Sequence, residues 1–157
     1  MKRSLGPLVA PITVGLIASA CSSATLLTKS QAAHRYASIA ARVNVVAIPF
    51  NREVYSGWTK NTPPSQIKSE ARQYLAALQV FDRQLSSLAQ QYPPASAEIR
   101  SEVAATQSLL GDLANIMSHT YRLNSWFEGW NRDDTAVEWH AVKVRSDLGL
   151  PPPPSES

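Results

Sequence analysis

The stretch PSQIKSEARQYLAALQVFDRQLSSLAQQYPP, residues 64–94, decides the fold class. Ile67, Ala71, Tyr74, Leu78, Phe81, Leu85, Leu88 and Tyr92 follow one another in alternating steps of four and three. That alternation puts all eight on one stripe of an α-helix, with Ala77, Gln84 and Gln91 on the other side. Thr62 is placed to cap the helix, and Pro63 or Pro64 suits its first turn. Pro93-Pro94 ends it, since neither residue can donate to a continuing helix.

Working outward, the same alternation restarts beyond Pro94. From about Ala95, the residues Ile99, Val103, Thr106, Leu110, Leu113, Met117 and Thr120 keep it, while Leu109 and Ile116 widen the stripe. The pattern runs on to Leu123, Phe127 and Trp130, and a break is predicted between Gly129 and Arg132. Two long helices joined at Pro93-Pro94 make a helical hairpin. Upstream, Tyr36, Ile39, Val43, Val46 and Phe50 predict a first helix from about Lys29 to Phe50, kinked or stopped by Pro49. Downstream, a fourth helix is predicted from Asp133 to Leu148. Asp133, Asp134 and Glu138 stand at its positive end, and Lys143 and Arg145 toward its negative end. Thr135 with Glu138 matches a capping box; Val137, Ala141, Val144 and Leu148 form a face; and Gly149 is a C-terminal stop. The expected fold is all-α, an antiparallel bundle of three to four helices. The connection from Asn51 to Thr62 is its least legible part.

Composition agrees. The chain has 157 residues, 44% hydrophobic and 17% charged, with 6 glycines, which suits one helical domain with a core. Net charge is +3; without Lys2 and Arg3, 13 Lys and Arg face 12 Asp and Glu, a balance of +1. So even a charge distribution leaves no electrostatic footprint for nucleic acid.

The first residues read as an address. Lys2-Arg3 is a positive start, Leu8 to Ala20 a mostly apolar run of 13 residues, and Ala18-Ser19-Ala20 supplies small residues before Cys21. The apolar run is shorter than the ~20 residues a bilayer requires, so a cleaved secretory signal fits better than a transmembrane helix. Cys21 is the single cysteine, which rules out an intramolecular disulfide. With Ser22-Ser23-Ala24-Thr25 after it, the site resembles a lipobox, although Ala18 stands where leucine is usual and Pro7 and Pro11 interrupt the apolar run. In such signals the cysteine sulfur receives diacylglycerol and the peptidase cuts just before it. The alternative is an ordinary signal peptide with an incidental cysteine. The expected organisation is a signal peptide over 1–20, a lipidated tether over 21–29, a bundle over 30–150 and a proline-rich, extended and mobile tail over 151–157. The protein is then held on the outer face of the cell membrane.

Signatures of chemistry are sparse. A two-metal carboxylate bundle needs Glu-x-x-His pairs, but Ile116 precedes His119 by three and Val137 precedes His140. Gly-x-Ser-x-Gly, Cys-x-x-Cys, His-Glu-x-x-His and phosphate-binding glycine loops do not occur in the sequence. The expectation is therefore a protein without catalysis, metal or cofactor. Asp82, at the edge of the first seam, is expected to pair with an arginine of another helix. The unusual local feature is aromatic: Trp126-Phe127-Glu128-Gly129-Trp130, with Trp139 nearby and Trp58 in the irregular connection. Phe127 and Trp130 continue the apolar stripe and read first as core. Trp58, Trp126, Trp130 and Trp139 are also the candidate binding surface for a protein, glycan or lipid headgroup. A concave pocket lined by Trp126, Trp139 and Tyr121 would indicate ligand binding, and a flat apolar patch assembly into an envelope complex. A cleft joining His to Asp or Glu would indicate a hydrolase.

Three segments together, Tyr36-Ala37-Ser38-Ile39-Ala40-Ala41-Arg42-Val43-Asn44, the leucine-rich helix ending at Tyr92-Pro93-Pro94, and Asp147-Leu148-Gly149-Leu150-Pro151-Pro152, resemble a group of small actinobacterial lipoproteins and exported proteins. The resemblance covers most of residues 30–152. It implies a helical bundle on the cell envelope, and it implies no activity.

Overall fold

A computed structural model describes residues 25–59 and 61–153. The signal segment and Cys21 lie outside these residues, as do residues 154–157 of the tail. Four long helices follow one another: α1 (Lys29–Arg52), α2 (Pro64–Gln91), α3 (Ser96–Ser118) and α4 (Leu123–Leu148). A π-helical turn, Glu53–Gly57, extends α1, and short 3-10 turns at Pro93–Ala95 and Thr120–Arg122 join α2 to α3 and α3 to α4. No strand occurs among the described residues.

Cross-helix pairs fix the directions. The Leu27 amide, just before α1, donates to the Gln91 carbonyl at the end of α2 (2.9 Å), while Phe50 packs on Tyr74 at the opposite end. Trp126 reaches Asp112, and His140 faces Glu98, so α3 and α4 are also antiparallel. The chain is an up-and-down four-helix bundle in which α2 packs closely on α3, α3 on α4 and α1 on α2. α1 and α4 meet only sparsely.

The α2 stripe is buried as its spacing predicts: Ile67, Ala71, Tyr74, Leu78, Phe81, Leu85 and Leu88 all face inward. Facing them on α1 are Ala32, Tyr36, Ile39, Val43, Ala47 and Phe50. On α3 the buried line is Ile99, Glu102, Thr106, Leu109, Leu113 and Ile116, one position round from the predicted one, with Val103, Leu110 and Met117 at its flank. A glutamate thus occupies a seam position.

Several boundaries differ from expectation. α1 passes through Pro49 to Arg52, because Phe50, Asn51 and Val54 beyond it are buried; the backbone then loosens into the π turn. At the start of α2 the cap is Pro63, and the Thr62 hydroxyl oxygen instead accepts from the Thr59 amide (2.8 Å). The break expected at Gly129 lies at His119–Arg122, and α4 is continuous through Gly129. A glycine inside a helix costs about 1 kcal/mol, less than the burial of Trp126 and Trp130 on either side returns. Asp133 and Asp134 are therefore mid-helix, and the Thr135 hydroxyl donates to the Asn131 carbonyl in place of capping. Gly149 does end α4, in the left-handed region at φ 73°. Asp82 accepts from Gln107 (3.4 Å), not from an arginine. Thr28 caps α1 reciprocally with Gln31, so the helix starts inside the expected tether. The tail turns back: the Pro151 carbonyl accepts from Arg145, and Pro153 lies beside α1 and α4.

No helix among the described residues is long and apolar enough to cross a membrane. If the α2 stripe holds the bundle together, Leu85→Ala, at a fully buried site, should lower unfolding free energy by about 2–5 kcal/mol in urea titration. Val80→Ala, on the exposed side of the same helix, should change it by less than about 0.5 kcal/mol.

Candidate functional site

The sparse contact between α1 and α4 leaves a groove of about 610 Å³, within the range of small-molecule sites. Its walls are Ala40, Val43, Ala47 and Ile48 from α1 and Val137, Trp139, Ala141 and Val142 from α4; Tyr74, Leu78 and Phe81 of α2 form the floor. Polar groups sit toward its two ends. At one end Glu102 of α3 comes up through the floor, with Tyr36 and Arg145 beside it. At the other are Asn51 and Asp134.

Glu102 is 1% exposed. Its Oε1 accepts from the Tyr36 hydroxyl (2.9 Å), and its Oε2, also buried, has no hydrogen-bond partner. Burial pushes its pKa up to about 8, against the smaller lowering effects of the Tyr36 hydrogen bond and the Arg145 charge. The side chain is therefore a neutral carboxylic acid at neutral pH, a donor where an ionised glutamate would only accept. Burial and the adjacent Glu102 also raise the Tyr36 pKa, which keeps the phenol protonated.

The opposite end has a second unsatisfied atom. Asn51 Nδ2 approaches the Asp134 carboxylate at 3.3 and 3.5 Å, and the Tyr55 hydroxyl donates to Asp134 Oδ2 (3.1 Å). Asn51 Oδ1 remains buried without a donor. Neither atom is compensated, whereas buried polar groups are as a rule paired.

The tryptophans are distributed otherwise than expected. Trp130 is completely buried, stacks with Trp126 (5.2 Å between centroids), and packs edge-on against Phe50 (5.3 Å) and Tyr74 (5.9 Å). Trp126 is also core, its indole N–H donating to the Asp112 carbonyl (2.7 Å). These two plug one end of the bundle and are not surface, because the continuous α4 turns both inward. Phe127 is half-buried against Tyr55 (5.4 Å). Trp58 is half-buried on Phe50 and Trp126 and donates to Glu70 (2.7 Å), which makes it an anchor for the α1–α2 connection. Trp139 alone is open, at 54% exposure, with the Lys143 ammonium 3.8 Å above its ring, and it lines the groove. The groove includes Trp139 but neither Trp126 nor Tyr121, so its place in the fold differs from the one anticipated.

No histidine lines the groove. His140 approaches Glu98 at 3.8 Å on the α3–α4 side. Among the described residues no group of three His, Cys, Asp or Glu side chains is placed to hold a metal ion. A second titration site, Asp112, is raised to about 6, first by burial and then by nearby Asp133, but it lies between α3 and α4 away from the groove. Sequence periodicity overlooked Glu102, although Ile99, Glu102, Thr106, Leu109, Leu113 and Ile116 alternate by three and four as regularly as the aliphatic line beside them. Comparison of the chain with protein-family models, with curated proteins and with solved structures gave no match.

Glu102 makes stability pH-dependent. Unfolded, the carboxyl releases its proton near its ordinary value of 4.5; folded, it holds it to about 8. The folded state binds more protons between these values, so stability is greatest below the lower one and is lost as pH rises through the upper. Glu102→Gln removes this linkage. In urea unfolding from about pH 5 to about pH 8, wild type should lose stability relative to Glu102→Gln by up to about 1.4 kcal/mol per pH unit. Parallel profiles would mean that Glu102 ionises in place.

Proposed function

We propose that this chain is an envelope lipoprotein, lipidated on Cys21, whose helical domain binds a small ligand without catalysis in the groove between α1 and α4. The observation that carries the ligand reading is the buried Glu102 Oε2, left without a partner beside the apolar walls of the groove. A buried polar atom costs about 1–3 kcal/mol when unsatisfied, and a ligand supplying a matching atom would recover it. The anchor reading draws on the positive start, the short apolar run and the small residues before Cys21. It accords with an actinobacterial origin through the resemblance described above. Two or more acyl chains suffice for stable membrane attachment, so the domain needs no basic face of its own.

A second reading, assembly into an envelope complex, is favoured by the exposed Ile48, Trp139 and Val142 along the groove mouth. Sedimentation separates the two: a partner-free monomer supports the ligand reading, and self-association through this face the assembly reading.

Intact mass of the membrane-fraction protein tests the anchor. The expected chain starts at residue 21 with added acyl mass, and Cys21→Ala abolishes that mass; an unmodified Cys21 would overturn the anchor. For the groove, the Cys21→Ala chain should carry a noncovalent small-molecule mass in native mass spectrometry. Denaturing solvent should remove it, and Ala141→Trp, which fills the groove from α4, should prevent it.

A further inference from the structure

The length and charge of the groove narrow the ligand class. Tyr36 and Asn51 are 15 residues apart on α1, about 22 Å at the helical rise. Tyr36 holds Glu102 at one limit, and Asn51 marks the other. One extended hydrocarbon chain, whose carbons keep about 4 Å from their neighbours, fits along a groove of this length and volume. Membrane-lipid chains span about half of a ~30 Å bilayer core, comfortably inside this length.

Charge then orients the occupant. Among the described residues lining the groove, Arg145 is the only cation, and its influence reaches both Glu102 and Tyr36. Its Nε is held by the Pro151 carbonyl, which fixes the guanidinium at that end. The other end carries Asp134, already engaged by Asn51 and Tyr55, with Glu138 also lining the groove. An anionic head is therefore favoured beside Arg145 and opposed beside Asp134. A carboxylate at the Arg145 end would accept from the guanidinium and from the Glu102 acid at once, both strong charge-assisted bonds.

We infer that the α1–α4 groove holds a single-chain fatty acid, its carboxylate between Arg145 and Glu102 and its chain lying along α1 toward Asn51. This rests on the reading of the groove as a ligand site. Isothermal titration of the delipidated full-length Cys21→Ala chain with sodium alkanoates, each below its aggregation concentration, tests it. Affinity should rise about fourfold per added CH₂ from octanoate upward and level off once the chain exceeds the groove. Arg145→Gln should weaken hexadecanoate by about tenfold or more and leave hexadecanol unchanged. Ala141→Trp and Ala40→Phe, which fill the groove from opposite walls, should each abolish uptake while circular dichroism keeps the helical signal.

Equal affinity for hexadecanol and hexadecanoate, or no effect of Arg145→Gln, would overturn the fatty-acid assignment. Absence of alkanoate binding beside a native small-molecule mass that Ala141→Trp removes would overturn it too, while leaving the ligand site intact. A wild-type dimer that Ala141→Trp converts to monomer, without alkanoate uptake, would overturn both in favour of contact between copies of the chain.

Discussion

From Ile67 to Leu88 one stripe of α2 offers water nothing but apolar side chains, and no single neighbouring helix can cover it. Two are needed, one on each side of the stripe. α3 arrives on one side because the double proline allows only a tight reversal, and α1 arrives on the other. α4 then covers the exposed side of α3. The fourth helix is thus placed by α3, not by α1. The gap between α1 and α4 is a by-product of satisfying α2 first, and the groove inherits its position from that order.

Two polar clusters set how wide that gap stays. Tyr36 bonded to Glu102 ties α1 to α3 near one end, and Asn51 and Tyr55 bonded to Asp134 tie α1 to α4 near the other. Between them the facing walls carry mostly small or β-branched residues, among them Ala40, Val43, Ala47, Val137 and Ala141, with Asn44, Glu138 and Trp139 beside them. Larger side chains there would close the seam. The bulky residues are gathered instead at the base, where Phe50, Tyr74, Trp126 and Trp130 interlock.

The readable parts of this fold are those in which periodicity admits one solution. α2 is such a case, as are the Pro93-Pro94 reversal and the Gly149 stop. In α3 two lines of residues share the three-four alternation, and aliphatic preference selects the line through Val103 over the line through Glu102. The second is buried because Tyr36, 66 residues away, gives the acid a partner and burial keeps it neutral. For α4, Gly129 and Thr135 are strong local punctuation, yet helix continues past both since Trp126 and Trp130 must reach the core together. The groove has no local signature at all. It is an absence of packing between helices some 80 residues apart, and no window of sequence reports what fails to touch.

That same open seam has a consequence for how the chain reaches its structure. Most of the dense packing joins helices that are consecutive along the chain, α1 with α2, α2 with α3, and α3 with α4. Pairing α1 with α4 would require closing a loop that spans nearly the whole domain, with the entropy loss that attends it. By leaving that pair loosely joined, the molecule keeps its contact order low, the regime in which helical bundles fold in microseconds to milliseconds. An unzipped edge is thus also a kinetic simplification: each hairpin can form on its neighbour, and only the few contacts of α1 with α4, such as Asn51 with Asp134, wait for distant parts of the chain to meet.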